Sequence, residues 1–132
     1  MVEMRVARAT SFAILLAIPV AAPAGGASRH VQASLVSETE SIQPGQRLLV
    51  GVRLQMDEGW HTYWKNPADS GLPTRMSWRL PEGLEAGPLQ WPRPERLETP
   101  PLVSYGYARE VLLPVEIAVA SSLKPGTSVE LA

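Results

Sequence analysis

The sequence predicts an all-β domain built as an antiparallel β-sandwich. The 132 residues include 13 prolines and 10 glycines, which helix interiors tolerate poorly. Short stretches in which apolar and polar residues alternate recur between turn signals, as expected of half-buried strands. After residue 28 there is no 12-residue stretch with helical periodicity and caps. About seven short strands at this spacing favour a sandwich of the immunoglobulin type.

The first 24 residues have the organisation of a secretory signal peptide. Two arginines make the start basic, residues 12–18 form an apolar run, and Ala22-Pro23-Ala24 fits a small-residue cleavage pattern. Residues 25–27 offer a later cleavage point. The apolar run is too short to span a hydrocarbon core of about 30 Å. We therefore expect cleavage rather than an anchor, and an exported domain over residues 28–132.

The first predicted strand covers residues 31–35, whose apolar side chains fall on one side. Gln43-Pro44-Gly45-Gln46 predicts a turn, because proline presets the backbone at the second position and glycine accepts a positive φ at the third. Residues 48–56 give the strongest strand signal, with five apolar residues in strict alternation. These residues are Leu48, Val50, Val52, Leu54 and Met56. Asp57-Glu58-Gly59 is expected to end this strand.

Residues 60–64 are β-prone, and a strand there would place Trp60, Thr62 and Trp64 on one face and His61 and Tyr63 on the other. A polar loop is expected over residues 66–73, which are punctuated by glycine and proline.

Residues 75–80 alternate again and predict another half-buried strand. Met76, Trp78 and Leu80 would share its apolar face, and Trp78 is expected in the core.

The remaining elements are a short strand within residues 84–91, a proline-rich stretch over 92–101, and a long strand over 111–119. Pro114 lacks an N–H, so the long strand is expected at a sheet edge or with a bulge. A turn over 121–127 precedes the start of a further strand at 128–132. Because this alternating pattern stops abruptly, we expect a sandwich that is incomplete at its C-terminus in a truncated product.

Composition and motifs exclude several functions. The 12 basic and 13 acidic residues give a net charge of −1, which argues against nucleic-acid binding. With no cysteine, the sequence provides no disulfide, thiolate nucleophile or cysteine-ligated metal. The two histidines, His30 and His61, lack metal-ligand spacing with Met56 and Met76. Carboxylates are scattered, and hydrolase, Walker and dinucleotide motifs are missing. No cofactor and no small-molecule substrate are expected.

The aromatic residues of the domain have two interpretations. Tryptophans in a small sandwich are usually core residues, although amphipathic rings also form binding platforms for sugars or peptides. Both interpretations stay open for Trp64 and Trp91. Together with Tyr105, they are the candidates for an aromatic binding surface.

Several segments resemble the N-terminal periplasmic domain of DsbD-type thiol:disulfide interchange proteins, in particular the ScsB-like branch. The resemblance runs from about His30 to the last residue, and its specificity lies in the combination of segments. The segments are Gly59-Trp60-His61-Thr62-Tyr63-Trp64-Lys65-Asn66-Pro67, Asp69-Ser70-Gly71-Leu72-Pro73-Thr74, Leu80-Pro81-Glu82-Gly83, Gln90-Trp91-Pro92, Pro94-Glu95-Arg96, Tyr105-Gly106-Tyr107 and Val111-Leu112-Leu113-Pro114-Val115.

The resemblance implies an immunoglobulin-like periplasmic domain that is followed by a polytopic membrane domain and a thioredoxin-like domain. In the family, electrons from cytoplasmic thioredoxin cross the membrane and reach this domain, which reduces disulfides in periplasmic partner proteins. The family carries this chemistry on a cysteine pair soon after the position where this sequence ends. Without cysteine, these 132 residues cannot exchange disulfides by themselves, and no catalytic residue is transferred.

The family's loop that caps the cysteine pair corresponds loosely to Glu95, Arg96 and Leu97. The alternative function is a cysteine-free periplasmic binding module of the same fold, with Trp64, Trp91 and Tyr105 as its aromatic surface.

Overall fold

The computed structural model describes residues 2–6, 30–124 and 128–131, which form ten β-strands. The strands are β1 (Val2–Val6), β2 (Val31–Ser37), β3 (Ser41–Ile42), β4 (Arg47–Met56), β5 (His61–Ala68), β6 (Leu84–Ala86), β7 (Glu95–Thr99), β8 (Leu102–Ala108), β9 (Glu110–Val119) and β10 (Ser128–Leu131). These ranges contain no helix, and thus none long and apolar enough to cross a membrane. The predicted all-β class is confirmed.

The strands form three sheets, in the orders β2-β4-β9-β6, β5-β8-β7 and β10-β1-β3. Pairing is antiparallel throughout except between β1 and β10, which run parallel. β1 lies inside the segment predicted to be a signal peptide, so cleavage after residue 24 would remove it. The apolar run and both predicted cleavage points lie outside the described residues. Residues 125–127 of the last predicted turn and Ala132 also fall outside them.

β4 and β9 form the centre of the fold, and their alternation is confirmed. All five apolar residues predicted for the inner face of β4 are buried, and their neighbours on β9 are buried as well. The first core cluster is Ile42, Leu48, Val50, Val115, Ile117 and Val119. The second core cluster is Val52, Leu54, Met56, Tyr107, Val111 and Leu113. Because Tyr107 belongs to β8, the second cluster lies between the β2-β4-β9-β6 sheet and the β5-β8-β7 sheet.

The turn before β4 also agrees with its sequence signal. Gly45 has a φ of 83°, a conformation that glycine adopts without steric cost. The backbone N–H of Gln46 donates to the carbonyl of Gln43 at 3.2 Å, which closes the turn. The predicted end of β4 is confirmed too, because the N–H of Trp60 donates to the carbonyl of Asp57 at 3.0 Å.

The expectation that Pro114 places its strand at an edge or in a bulge is wrong. β9 is an internal strand between β4 and β6, and its ladder with β4 runs without a register shift. The carbonyl of Pro114 accepts from the N–H of Gln90 at 2.8 Å. The N–H and C=O of one residue in an antiparallel strand point to the same side. The missing N–H of Pro114 therefore faces away from β4, and the central ladder loses no hydrogen bond.

The predicted strand over residues 75–80 does not form, although its alternation is real. Met76, Trp78 and Leu80 are each half-buried, while the residues between them are exposed. The three apolar side chains pack on the core clusters, and Trp78 contacts both. An extended chain buries alternate side chains whether or not a neighbouring strand pairs with it. This segment therefore covers the core without joining a sheet.

Two further elements differ from the sequence expectation. β5 continues through Ala68 into the predicted loop, with a register shift in which residues 64–67 lie opposite Tyr105 alone. The proline-rich stretch contains β7, which pairs with β8 as a hairpin. Its prolines stand before and after β7 rather than within it, so no ladder donor is lost.

Candidate functional site

The candidate site is an open cavity of about 530 Å³ on the β5-β8-β7 sheet. Its walls come from the β4–β5 turn, the start of β5, one residue of β7 and the β8–β9 turn. The lining residues are Asp57, Glu58, Gly59, Trp60, His61, Leu97, Ala108 and Arg109.

Strand register explains the shape of this cavity. Residues that pair directly across two strands point to the same face, and His61 pairs with Ala108 while Leu97 pairs with Ser104. Tyr107 points inward to the second core cluster, so its neighbours Gly106 and Ala108 point outward. Between Ser104 and Ala108 the outer face of β8 therefore carries only small residues. They form a shallow floor between taller side chains on β5 and β7.

Trp60 is held in a fixed orientation at the rim. Its ring stacks on the imidazole of His30, with the ring centres 3.9 Å apart and the planes 12° from parallel. Nδ1 of His30 lies 3.1 Å from Oδ2 of Asp57, and the Asp57 N–H donates to the His30 carbonyl at 3.0 Å. About half of Trp60 remains exposed. This ring is an ordered apolar surface that faces solvent.

His61 lines the cavity along β5, and Tyr63 lies beside it on the same face of the strand. Nε2 of His61 lies 3.1 Å from the Tyr63 hydroxyl, and the two rings meet edge to face at 5.0 Å. Gly71, with a φ of 98°, lies directly against the Tyr63 ring, where a Cβ would overlap the ring atoms. Only glycine satisfies both the backbone conformation and the contact. The loop after β5 therefore closes over Tyr63.

Hydrogen bonds fasten the same loop to β8. The Asp69 N–H donates to the Val103 carbonyl at 3.2 Å, and the Val103 N–H donates to Oδ2 of Asp69 at 2.9 Å. The hydroxyls of Ser70 and Ser104 lie 2.9 Å apart. These contacts hold the loop against the start of β8, at the opposite end of this strand from the cavity.

Electrostatics at the β8–β9 turn are set by two arginines. Arg109 lines the cavity with a φ of 65°, a left-handed conformation that is uncommon for a residue with a Cβ. Its carbonyl accepts from the Met56 N–H at 2.8 Å. A hydrogen bond from Arg53 holds the pKa of the Glu110 carboxyl below its ordinary value, and the same contact raises the pKa of Arg53.

The arrangement is suited to binding rather than to nucleophilic chemistry. The cavity offers an aromatic ring, an aliphatic side chain and charges of both signs, and the sequence contains no cysteine. In the part of the chain that the structure describes, no three His, Cys, Asp or Glu side chains are grouped to hold a metal ion.

The three residues assigned loosely to a cap lie in strand β7 of the hairpin. Leu97 lines the cavity. Arg96 pairs in register with Tyr105 and so points to the opposite face, where it forms an ion pair with Glu98.

The three residues assigned to an aromatic surface differ in exposure. Trp64 and Trp91 are half-buried against the second core cluster, whereas Tyr105 is exposed. Nζ of Lys65 lies 5.4 Å from the centre of the Trp64 ring. No sequence motif marks Arg109 as a residue of the cavity. Its only sequence signal is its place between two β-prone segments.

The fold and the cavity define a class of protein: an all-β, immunoglobulin-like sandwich domain with an open cavity on one sheet. The chain belongs to the family described as thiol:disulfide interchange protein DsbD, N-terminal, whose model matches residues 32–132. The family resemblance inferred from the sequence is therefore confirmed.

A solved structure supports the same fold. The crystal structure of the N-terminal periplasmic domain of ScsB from Proteus mirabilis matches with a TM-score of 0.54 and 23% identity. The match covers 72% of this chain and 36% of that chain, so these residues span about a third of the solved protein's length. A comparison with curated proteins finds no match.

Proposed function

We propose that this domain is the periplasmic N-terminal part of a DsbD-type protein-disulfide reductase. It is exported by the signal peptide of residues 1–24. It passes electrons from a membrane domain to disulfide-bonded partner proteins in the periplasm. The observation that carries the proposal is the family match over residues 32–132, and the sandwich fold supports it.

In this proposal the 132 residues provide a contact surface, and residues outside them provide the thiols for disulfide exchange. Thiol–disulfide exchange requires a thiolate to attack a disulfide sulfur, and no residue of this sequence supplies one. The redox pair must therefore come from outside these 132 residues. In this proposal the cavity lined by Trp60, His61 and Leu97 is the part of this chain that contacts the redox pair and the partner protein.

Thiol counting in the native gene product tests the proposal. An antibody raised against the folded domain recovers the product from its source cells, and a maleimide polymer then labels its free thiols with and without prior reduction. We expect a polypeptide that, once oxidised, gains at least two labels on reduction, and that reduces an oxidised periplasmic partner protein.

The 132-residue chain is the matched control, and we expect it to gain no label and to show no turnover. A product that contains this domain but carries no thiol would contradict the proposal. That result would favour the cysteine-free binding module, for which exposed Trp60 and Tyr105 provide aromatic surface.

A further inference from the structure

The outer face of the β2-β4-β9-β6 sheet carries a continuous apolar surface. Val36, Gly51 and Pro114 lie in one row across β2, β4 and β9, because each pairs directly with the next. Leu49 and Leu112 lie beside this row on the same face. Val36 is 44% exposed, Leu49 39% and Leu112 46%. We call these five residues the apolar face.

Packing within the described residues does not account for this surface. The inner side chains of the same strands already form the two core clusters, and the solvated face of an antiparallel sheet is ordinarily polar. Gly51 is buried under Leu112, which lies so close that a Cβ on Gly51 would come within 2.5 Å of Leu112 Cδ1, so the Leu112 side chain covers the centre of the face. Adjacent exposed aliphatic side chains on a flat surface are typical of protein contacts.

Ion pairs border the apolar face at both ends. Arg47 binds Glu116 at 2.9 Å at one end, and Arg53 binds Glu110 at 2.8 Å at the other. Each pair joins an arginine on β4 to a glutamate on β9. An apolar centre with a polar rim is the usual anatomy of an interface. Since each charge is already balanced, this rim does not select a strongly charged partner.

We propose that the apolar face binds a second copy of this chain. In a two-fold contact, residue i meets residue j and j meets i, so an arginine–glutamate couple is complementary to its own copy. A two-fold axis that runs parallel to the strands, above the boundary between β4 and β9, places both arginine–glutamate pairs of one copy opposite the same pairs of the other copy. It brings Arg47 of one copy near Glu116 of the other, and Arg53 near Glu110. The two sheets then pack in the aligned manner of sandwiches.

The size of the face sets the strength of this dimer. Together with its ion-pair rim, the face spans three strands at a spacing of about 4.8 Å and a length of up to about 34 Å for ten residues, which gives at most about 500 Å² per copy. The total of at most about 1,000 Å² is at the lower limit for a specific interface. The dimer should therefore be weak and reversible.

Sedimentation equilibrium of the purified protein over a range of concentrations tests the proposal directly. The wild type should pass from monomer to dimer, and Leu49→Lys and Leu112→Lys should each raise the dissociation constant at least tenfold. Leu72→Lys is the matched control, because Leu72 is 79% exposed but lies in the loop after β5, and it should leave dimerisation unchanged. A wild type that stays monomeric throughout would overturn the proposal.

Charge reversal provides a second test that leaves the apolar residues intact. One variant carries Arg47→Glu with Arg53→Glu, and the other carries Glu110→Arg with Glu116→Arg. Neither should associate with itself, because like charges would meet across the axis, but a mixture of the two should form a heterodimer. A mixture that stays monomeric while the wild type dimerises would show that another surface makes the contact. Circular dichroism of each variant verifies its fold, and the outcome is independent of the proposed reductase function.

Discussion

Trp78→Ala tests how a segment without ladder hydrogen bonds contributes to the sandwich. Trp78 lies in the extended segment before β6 and packs against both core clusters. No strand pairs with this segment, so side-chain packing connects it to the core, and Trp78 contributes contacts with both clusters. Truncation to alanine removes the indole and leaves the backbone conformation available. We therefore expect a loss of stability from packing alone.

The expected size of the loss follows from the half-burial of Trp78. A fully buried tryptophan covers 150–250 Å², of which a half-buried ring retains about 120 Å². At about 25 cal/mol per Å², its removal costs about 3 kcal/mol. This value lies at the lower end of the range of about 3–5 kcal/mol for truncation of buried aromatic residues.

Chemical denaturation followed by circular dichroism measures this loss without depending on tryptophan emission. Trp60→Ala is the matched control, because Trp60 is about half exposed and stacks only on one face against His30. We expect the control to cost less than about 1 kcal/mol. A Trp78→Ala protein within 0.5 kcal/mol of the wild type, on the order of a surface substitution, would refute the packing argument. A larger loss of unfolding free energy in Trp60→Ala than in Trp78→Ala would refute it as well.

Tyr107, the loop after β5 and the N-terminal segment give three further predictions. Burial raises the pKa of Tyr107, so its phenol should ionise above about pH 10. Because this phenol ionises at a lower pH in the unfolded chain than in the folded protein, the free energy of unfolding should fall as the pH rises above about 10. An absorbance titration in which Tyr107, identified by comparison with Tyr107→Phe, ionises at the same pH in the folded and the urea-unfolded protein would contradict this. Asp69→Ala removes the acceptor of the Val103 N–H and should lower the unfolding free energy by about 1 kcal/mol. Leu72→Ala is its control, and equal melting curves would exclude the effect. We propose that export removes 24–27 residues. Mass spectrometry that finds the initiator methionine on the exported protein would disprove this.

The local sequence pattern was sufficient to predict the elements in which buried and exposed residues alternate along the strand. The five apolar positions of β4, the turn at Gly45 and the inner residues of β9 all agree with expectation. Each depends on the period of two of an extended chain or on the φ preference of a single residue. The same reasoning predicted the alternating burial of residues 75–80, but it could not tell a paired strand from an unpaired one.

The candidate site was predictable only in part. The sequence resemblance pointed to Leu97, which lines the cavity, together with Arg96 and Glu95, which lie on the same strand. It did not point to Arg109, because this residue reaches the cavity through the turn that joins β8 to β9. Trp64 and Trp91 remained undecided between core and surface, and the packing of the second core cluster half-buries both.

The sequence by itself determined the all-β class, the family and the strands that bury one face, since these depend on composition, motif and local periodicity. Only the tertiary structure decided which strands are neighbours, and so placed Pro114 in an internal strand with its missing N–H turned away from β4. It also decided which side chains meet at the cavity, at the apolar face and on the two core clusters. Pairing joins residues that are far apart in the chain, as when Arg53 on β4 meets Glu110 on β9. No local pattern encodes such a contact, because its partner is chosen by the packing of the whole domain.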